Sequence, residues 1–349
     1  MRYKRFIFNA LFGIYGFGVL AAASGCGRGG DNPTDTLLLA AYTVPKEAYE
    51  REIIPTFQRH WQQKKGRRVV VQQSYEASGA QSSAVVGGFE ADVVALSLEG
   101  DVDRIVEAGL ITHDWHARPW NGYITRSLVV IGTRPDNPKA ILDWADLARP
   151  DVEVLYPNPK TSGGAMWCVN AIWGAGLGVG GGATAAPDSA GARALVKGIQ
   201  ARVKVMDKSG RESVTTFERG IGDALVTYEN ELLLRTMQGR AISFVIPDAT
   251  ILIENPVAVV DRNVDKHGSR EVAEEFVRFL HEEQAQHAFA HYGFRPASPK
   301  IMKEVSVHFP EPARLFTIAD LGGWARVRET LYGEDGVWTE VVQELARGR

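Results

Sequence analysis

Short apolar runs alternate with longer segments of helical periodicity along most of this chain, and that alternation leaves few architectures open. The runs are Leu37–Ala41, Val69–Val71, Asp92–Leu96, Ser127–Ile131, Val152–Tyr156, Val203–Met206, Ala224–Tyr228, Phe244–Ile246 and Val257–Val260. Between them, Pro45–Lys65, Val102–Ala108, Gly164–Ala175, Arg193–Gln200, Val214–Gly220 and Arg270–Phe289 read as helices, with Pro55 expected to kink or break the first. Strands alternating with helices predict an α/β fold with mainly parallel sheets. In such sheets ligands bind at the carboxyl ends of strands, where helices begin. A length of 349 residues suits two such units, or one large bilobed one.

The first 26 residues follow a different pattern. Arg2, Lys4 and Arg5 precede an apolar run from Phe6 to Ala23, interrupted by Asn9, and the small residues Ala23, Ser24 and Gly25 stand before Cys26. This is the layout of a bacterial export signal. Small residues before a cysteine resemble a lipobox, which predicts lipidation of Cys26 and attachment to the membrane; Ala23 stands where a leucine is usual. A plain signal peptide and an uncleaved anchor helix are the alternatives. Gly27 to Asp35, which contains Gly, Asn and Pro, reads as a flexible tether. With Cys26 acylated, Cys168 has no disulfide partner, and its neighbours Met166, Trp167, Val169 and Ile172 mark it as a buried thiol.

Several chemistries find no support. The 39 basic and 42 acidic side chains nearly balance, so nothing points to a nucleic-acid partner. The Gly174–Gly182 stretch follows a helix rather than a strand and reads as a loop between helices, not a dinucleotide fingerprint. No P-loop and no zincin motif occur. His287 and His291 have the spacing of a metal pair but fit a solvated helix flank equally, so no metal or cofactor is expected.

Four polar turns stand directly before helices and carry the chemistry that remains. They are Thr43-Val44-Pro45, Ser74 to Gly79, Asn158 to Gly164, and Ser209 to Ser213. The first N–H groups of a helix lack intrahelical acceptors and carry partial positive charge, glycine allows close approach, and serine adds an O–H. Several such turns converging on one point hold an anion without a lysine or arginine. Singly, Ser78, Ser162 and Ser213 also read as ordinary N-caps.

The matching runs now accumulate: EADVVALSL at Glu90–Leu98, NPKTSGGAMW at Asn158–Trp167, TTFERGIGD at Thr215–Asp223, YENE at Tyr228–Glu231 and PVAVVD at Pro256–Asp261, with LFTI at Leu315–Ile318 and GGW at Gly322–Trp324. Over roughly Leu37 to Trp324 the chain resembles the periplasmic sulfate/thiosulfate-binding proteins of ABC importers. The resemblance implies a bilobed type II periplasmic-binding-protein fold whose two lobes, joined by two crossovers, close over the anion: lobe one at 36–117 plus 253–324, lobe two at 118–252, and a C-terminal helical extension at 325–349. It implies hydroxyl donors at Ser78 and Ser162, backbone donors at Gly163 and Gly164, and a backbone donor at Ser213.

Three positions depart from the family pattern. Tyr42-Thr43-Val44 replaces Tyr-Asp-Pro, so Thr43 takes the aspartate's place. Tyr228 stands where a tryptophan indole donates, and a phenol also accepts. Glu76 replaces a glycine and is expected to face water, the alternative being that Glu76, like Thr43 or Tyr228, restores an acceptor for a protonated oxyanion. A site of donors alone suits sulfate, which carries no proton at neutral pH, and penalises monohydrogen phosphate. The expected ligand is therefore sulfate or thiosulfate, with molybdate and phosphate as alternatives. The expected partners are ABC permease subunits and the membrane, for a monomeric protein in the periplasm or at the cell surface. A tethered anion sensor and a serine-dependent hydrolase are the competing functions.

Overall fold

Each predicted run becomes a strand because its β-branched and aliphatic residues face a core on one or both sides. The computed structural model describes residues 34–180, 187–240 and 242–348. Cys26, the export signal and most of the tether lie outside the described residues. β1 (Thr34–Tyr42) leads through α1 (Lys46–Ala48) and a π-helical turn (Tyr49–Ile53) into α2 (Ile54–Lys65). β2 (Arg68–Glu76), α3 (Ser78–Val86), β3 (Val93–Ala95), α4 (Glu99–Glu107) and β4 (Tyr123–Thr133) follow. Next come β5 (Val154–Leu155), α5 (Gly163–Leu177), α6 (Ser189–Gln200), β6 (Val203–Val205), α7 (Gly210–Glu218), β7 (Ala224–Tyr228), α8 (Glu229–Met237) and β8 (Ser243–Val245). β9 (Ala249–Val259), α9 (Asp261–His267), α10 (Arg270–Leu280), α11 (Glu283–His291), β10 (Arg295–Pro296) and α12 (Pro299–Val305) come next. The chain closes with β11 (Arg314–Phe316), α13 (Gly323–Val327) and α14 (Val337–Arg347). No helix among the described residues is long and apolar enough to cross a membrane.

The main strand order is β2-β1-β3-β9-β4-β7-β5-β6. β1 pairs in parallel with β2 and β3, and β5 in parallel with β6 and β7, so each half is a parallel α/β unit. The halves share two long antiparallel strands. β9 pairs with β3 through Val257–Val259, β4 pairs with β7 through Val129–Thr133, and β4 and β9 pair with each other between those ends. The chain thus passes between halves along β4 and β9, the bilobed α/β arrangement with two crossovers that the resemblance implied. Small cores flank this junction: Ala40, Val94, Ile105 and Ala258 lie in one half, Leu128, Val214, Phe217 and Leu225 in the other.

Three local expectations change. The irregularity expected at Pro55 takes the form of the π-helical turn just before it, and helix then continues to Lys65. Gly174 and Gly176 belong to α5 rather than to a loop. A Cβ on Gly174 would stand 2.3 Å from the Phe316 ring, and one on Gly176 would stand 2.6 Å from Ala192, so both glycines are packing positions. From β11 onward the chain packs largely on the second half, though Arg328 donates to the Gly100 carbonyl of α4 in the first. β11 pairs with Ala249–Ile251, Trp324 meets Trp167 edge to face at 4.8 Å, and Trp338 Nε1 donates to Tyr156 at 3.1 Å.

Candidate anion site at converging helix starts

The carboxyl ends of β1, β3, β5 and β7 meet the starts of α3, α5 and α7 around one small cavity. Its wall includes Tyr42, Thr43, Ser78, Ser97, Ser162, Gly164, Ser209, Gly210 and Tyr228. No charged side chain lines it among the described residues. Its polarity therefore comes from helix starts and hydroxyls.

Ser78 is the first residue of α3 and is buried. Its hydroxyl donates to Asp101 at 2.6 Å and accepts from the Ser97 N–H at 2.9 Å. The proton expected to face a ligand is thus directed at a carboxylate, while the Ser78 N–H, at a helix start, has no intrahelical acceptor. Burial pushes the Asp101 carboxyl above the usual aspartate range, against the pull of the Ser78 bond. Ser162 presents the opposite case. It occupies the N-cap position of α5, yet its side chain makes no capping bond and has no other hydrogen-bond partner among the described residues. Its hydroxyl would be 3.3 Å from a Cβ on Gly164, and the Tyr228 hydroxyl 3.5 Å, so the glycine's bare Cα keeps this wall open.

Gly163 opens α5 but does not line the cavity. A Cβ there would stand 2.8 Å from Ser97 Oγ and 2.9 Å from Leu98, so its glycine lets the strand-β3 loop pack on the helix start. Thr43 lines the cavity, as expected. Ser213 does not reach it. α7 begins at Gly210, earlier than the sequence suggested, which puts Ser213 one turn inside the helix, donating to Asp207 at 3.0 Å. Ser209 and Gly210 take the position at the cavity, and Ser209 caps the helix by accepting from the Glu212 N–H at 3.3 Å. Glu76 ends β2 exposed to water. His287 and His291 pair with Glu304 and Glu52, and no cluster of metal ligands occurs among the described residues.

Sequence reasoning missed Ser97. It ties four segments together beside the cavity: its N–H meets Ser78, its carbonyl accepts from Trp167 Nε1 at 2.9 Å and Asn255 Nδ2 at 2.8 Å, and its Oγ lies 2.6 Å from the Tyr228 hydroxyl. Burial holds the Tyr228 phenol far above its usual range, so it keeps its proton. Tyr42 and Cys168 also line the wall. Cys168 donates to the Val226 carbonyl at 3.4 Å, and burial raises its thiol as well.

Beside the cavity, Arg211 connects the halves. It donates to Glu47, to the Val44 carbonyl at 2.9 Å and to Glu231 at 3.0 Å.

A model of the bacterial extracellular solute-binding proteins matches residues 37–295. A sulfate-binding protein of Synechococcus elongatus is 44% identical over 92% of this chain and 90% of its own length. One of Escherichia coli is 39% identical over 87% and 92%. A thiosulfate-binding protein of Pseudomonas aeruginosa is 34% identical over 94% and 98%. Among solved structures, the sulfate-binding protein SubI from Mycobacterium tuberculosis superposes with a TM-score of 0.78 at 38% identity, covering 85% of this chain and 99% of that one. A periplasmic thiamin-binding protein, 14% identical with a TM-score of 0.66 over 89% of this chain and 96% of its own, shares the fold. Fold, cavity and relatives agree, and this chain belongs to the bacterial extracellular solute-binding proteins, among the sulfate- and thiosulfate-binding members.

Proposed function

We propose that this protein captures sulfate or thiosulfate outside the cytoplasm and delivers it to the membrane subunits of an ABC importer. The observation that carries the reading is the convergence of three helix starts and the unpartnered Ser162 hydroxyl on a cavity with no charged wall residue among those described. Such a site offers many donors and draws a tetrahedral dianion by peptide dipoles. The relatives' names supply the ligand class. Binding without turnover fits the same geometry, because the Ser78 proton goes to Asp101 and no imidazole lines the cavity among the described residues. A calorimetric and thermal-shift panel of sulfate, thiosulfate, selenate, molybdate and phosphate tests this. Sulfate or thiosulfate should bind in the micromolar range or tighter. Binding of phosphate alone, or of none of the five, refutes it.

On this reading the halves close over the anion as two lobes. Lobe one comprises 36–117 and the chain from 253 to the loop before β11. Lobe two comprises 118–252 together with β11, α13 and α14; the pairing of β11 with Ala249–Ile251, the Trp324–Trp167 contact and the packing of α14 on α6 support that grouping, while α13 and Arg328 also reach α4 of lobe one. Export ends in acylation of Cys26. Cys26→Ser should release the protein from membranes or block its processing; a full-length, membrane-bound variant like the wild type would favour an uncleaved anchor helix.

A further inference from the structure

We infer that Ser97 fixes the direction in which Tyr228 donates its proton, and thereby makes the cavity select oxyanions that carry no proton of their own. The inference rests on the oxyanion reading above and concerns which oxyanion the site admits.

The Ser97 and Tyr228 hydroxyls bond only to each other among the described residues, 2.6 Å apart and both buried at the cavity wall. Two hydroxyls in one hydrogen bond leave one proton over. If Tyr228 donates to Ser97, the serine proton must turn elsewhere. A Cβ on Gly163 would stand 2.8 Å from Ser97 Oγ, so the positive start of α5 lies against one side of the serine, which also lines the cavity, and no carbonyl or carboxylate is bonded to its hydroxyl. If Ser97 donates to Tyr228, both protons are used: the serine's on the phenol oxygen, the phenol's toward the cavity, on the side where Gly164 and Ser162 open onto it. The second arrangement leaves no proton facing the helix start and gives both protons a role, and on that ground Ser97 is taken as the donor.

The consequence is chemical. A phenol normally donates and accepts. With Ser97 occupying its acceptor side, Tyr228 presents only a proton to the ligand, as an indole N–H does. An anion oxygen without a proton receives it. An anion that must itself donate, such as a monohydrogen oxyanion, meets a donor facing a donor. Ser97 is thus a positioning residue acting through Tyr228.

Selenate and arsenate test this, being of similar size and shape but, at pH 8, without and with a proton. The wild type should favour selenate by at least 100-fold. Ser97→Ala should cut that ratio at least tenfold, chiefly by tightening arsenate. In a Tyr228→Trp background, where the ring nitrogen cannot accept, Ser97→Ala should leave the ratio unchanged. A merely structural role for Ser97 predicts equal losses for both anions in both backgrounds, and that result overturns the inference, as does an unchanged ratio in Ser97→Ala. If the wild type binds neither selenate nor sulfate, the oxyanion reading itself falls; if it binds them but the double-mutant cycle shows no coupling, only the role of Ser97 falls.

Discussion

Ser162→Ala separates a ligand donor from a helix cap more cleanly than any other change. Ser162 sits where an N-cap should, but its hydroxyl makes no capping bond, so deleting it removes nothing that holds α5. Capping serines that do bond contribute about 1 kcal/mol to stability; here the expected loss is below about 0.5 kcal/mol. Toward a buried dianion, one hydroxyl hydrogen bond is worth about 1.5–3 kcal/mol, which corresponds to roughly a 10- to 150-fold rise in Kd. Ser209→Ala is the natural contrast, because Ser209 accepts from the Glu212 N–H and caps α7. It should lower stability by about 1 kcal/mol. Calorimetry with sulfate, alongside urea unfolding of the ligand-free proteins, reads both quantities. The reasoning is refuted if Ser162→Ala binds sulfate like the wild type while unfolding at clearly lower urea.

The remaining predictions rest on equally specific contacts. Arg211→Ala removes bonds to Glu47 and Val44 across the two halves, and one to Glu231 within its own half, where Arg235 still pairs that carboxylate; we expect ligand release to quicken about tenfold in stopped-flow measurements, about 1.4 kcal/mol, with little change in urea midpoint, and unchanged release would show that the contact does not hold the closed form. Gly174→Ala drives a methyl into the Phe316 ring, 2.3 Å from where it would stand; an overpacking loss of about 1–3 kcal/mol should appear on unfolding, and a neutral result would mean that β11 shifts freely. Glu275 supplies a pH signature. Burial raises its carboxyl, but bonds from Arg278, His60 and Lys64 outweigh that and hold it at about 2. A carboxyl held below its unfolded value of about 4.3 stabilises the fold fully above that pH and loses the contribution as pH falls through about 2. After solvent screening the contribution is about 1–2 kcal/mol. Wild type and Glu275→Gln should therefore differ in urea midpoint at pH 6 and converge near pH 2; a constant gap would contradict the assignment.

What the sequence disclosed about the fold was whatever depended on neighbours along the chain. The apolar runs at Leu37, Ser127 and Ala224 mark strands because local composition suffices to bury them, and Ala224–Tyr228 is a strand to the residue. β10 and β11 carry no such mark: they are two and three residues long and exist only because β4 and β9 lie beside them. The site divides the same way. Turns rich in serine and glycine announce helix starts, which brought Thr43, Ser78, Ser162 and Gly164 to the cavity. The turn before α7 was also legible, but which of its residues faces the cavity depends on where the helix begins, and Gly210 rather than Ser213 stands there. The commitment of the Ser78 proton to Asp101, 23 residues away, has no local trace. Ser97 lay within an apolar run, Leu96 to Leu98, and nothing beside it in sequence marks it as polar machinery.

The run Tyr228-Glu229-Asn230-Glu231 shows why a motif is easier to recognise than to interpret. As consecutive residues at the start of a helix, they point in different directions, and each engages a different segment. Tyr228 reaches Ser97 across the cavity. Glu229 is fully buried and takes a two-pronged bond from Arg295, at 2.7 and 3.0 Å, which ties α8 to β10. Asn230 accepts from Ser127 at 3.0 Å on β4, one of the two strands that link the halves. Glu231 accepts from Arg235 at 2.7 Å on its own helix and from Arg211 at 3.0 Å. Only the first of these side chains lines the cavity. The buried carboxylates would cost several kcal/mol if left unpaired, so their arginines hold the first turn of α8, directly after Tyr228, in place. The position of one phenol oxygen on the cavity wall is set by side chains that do not themselves line the cavity.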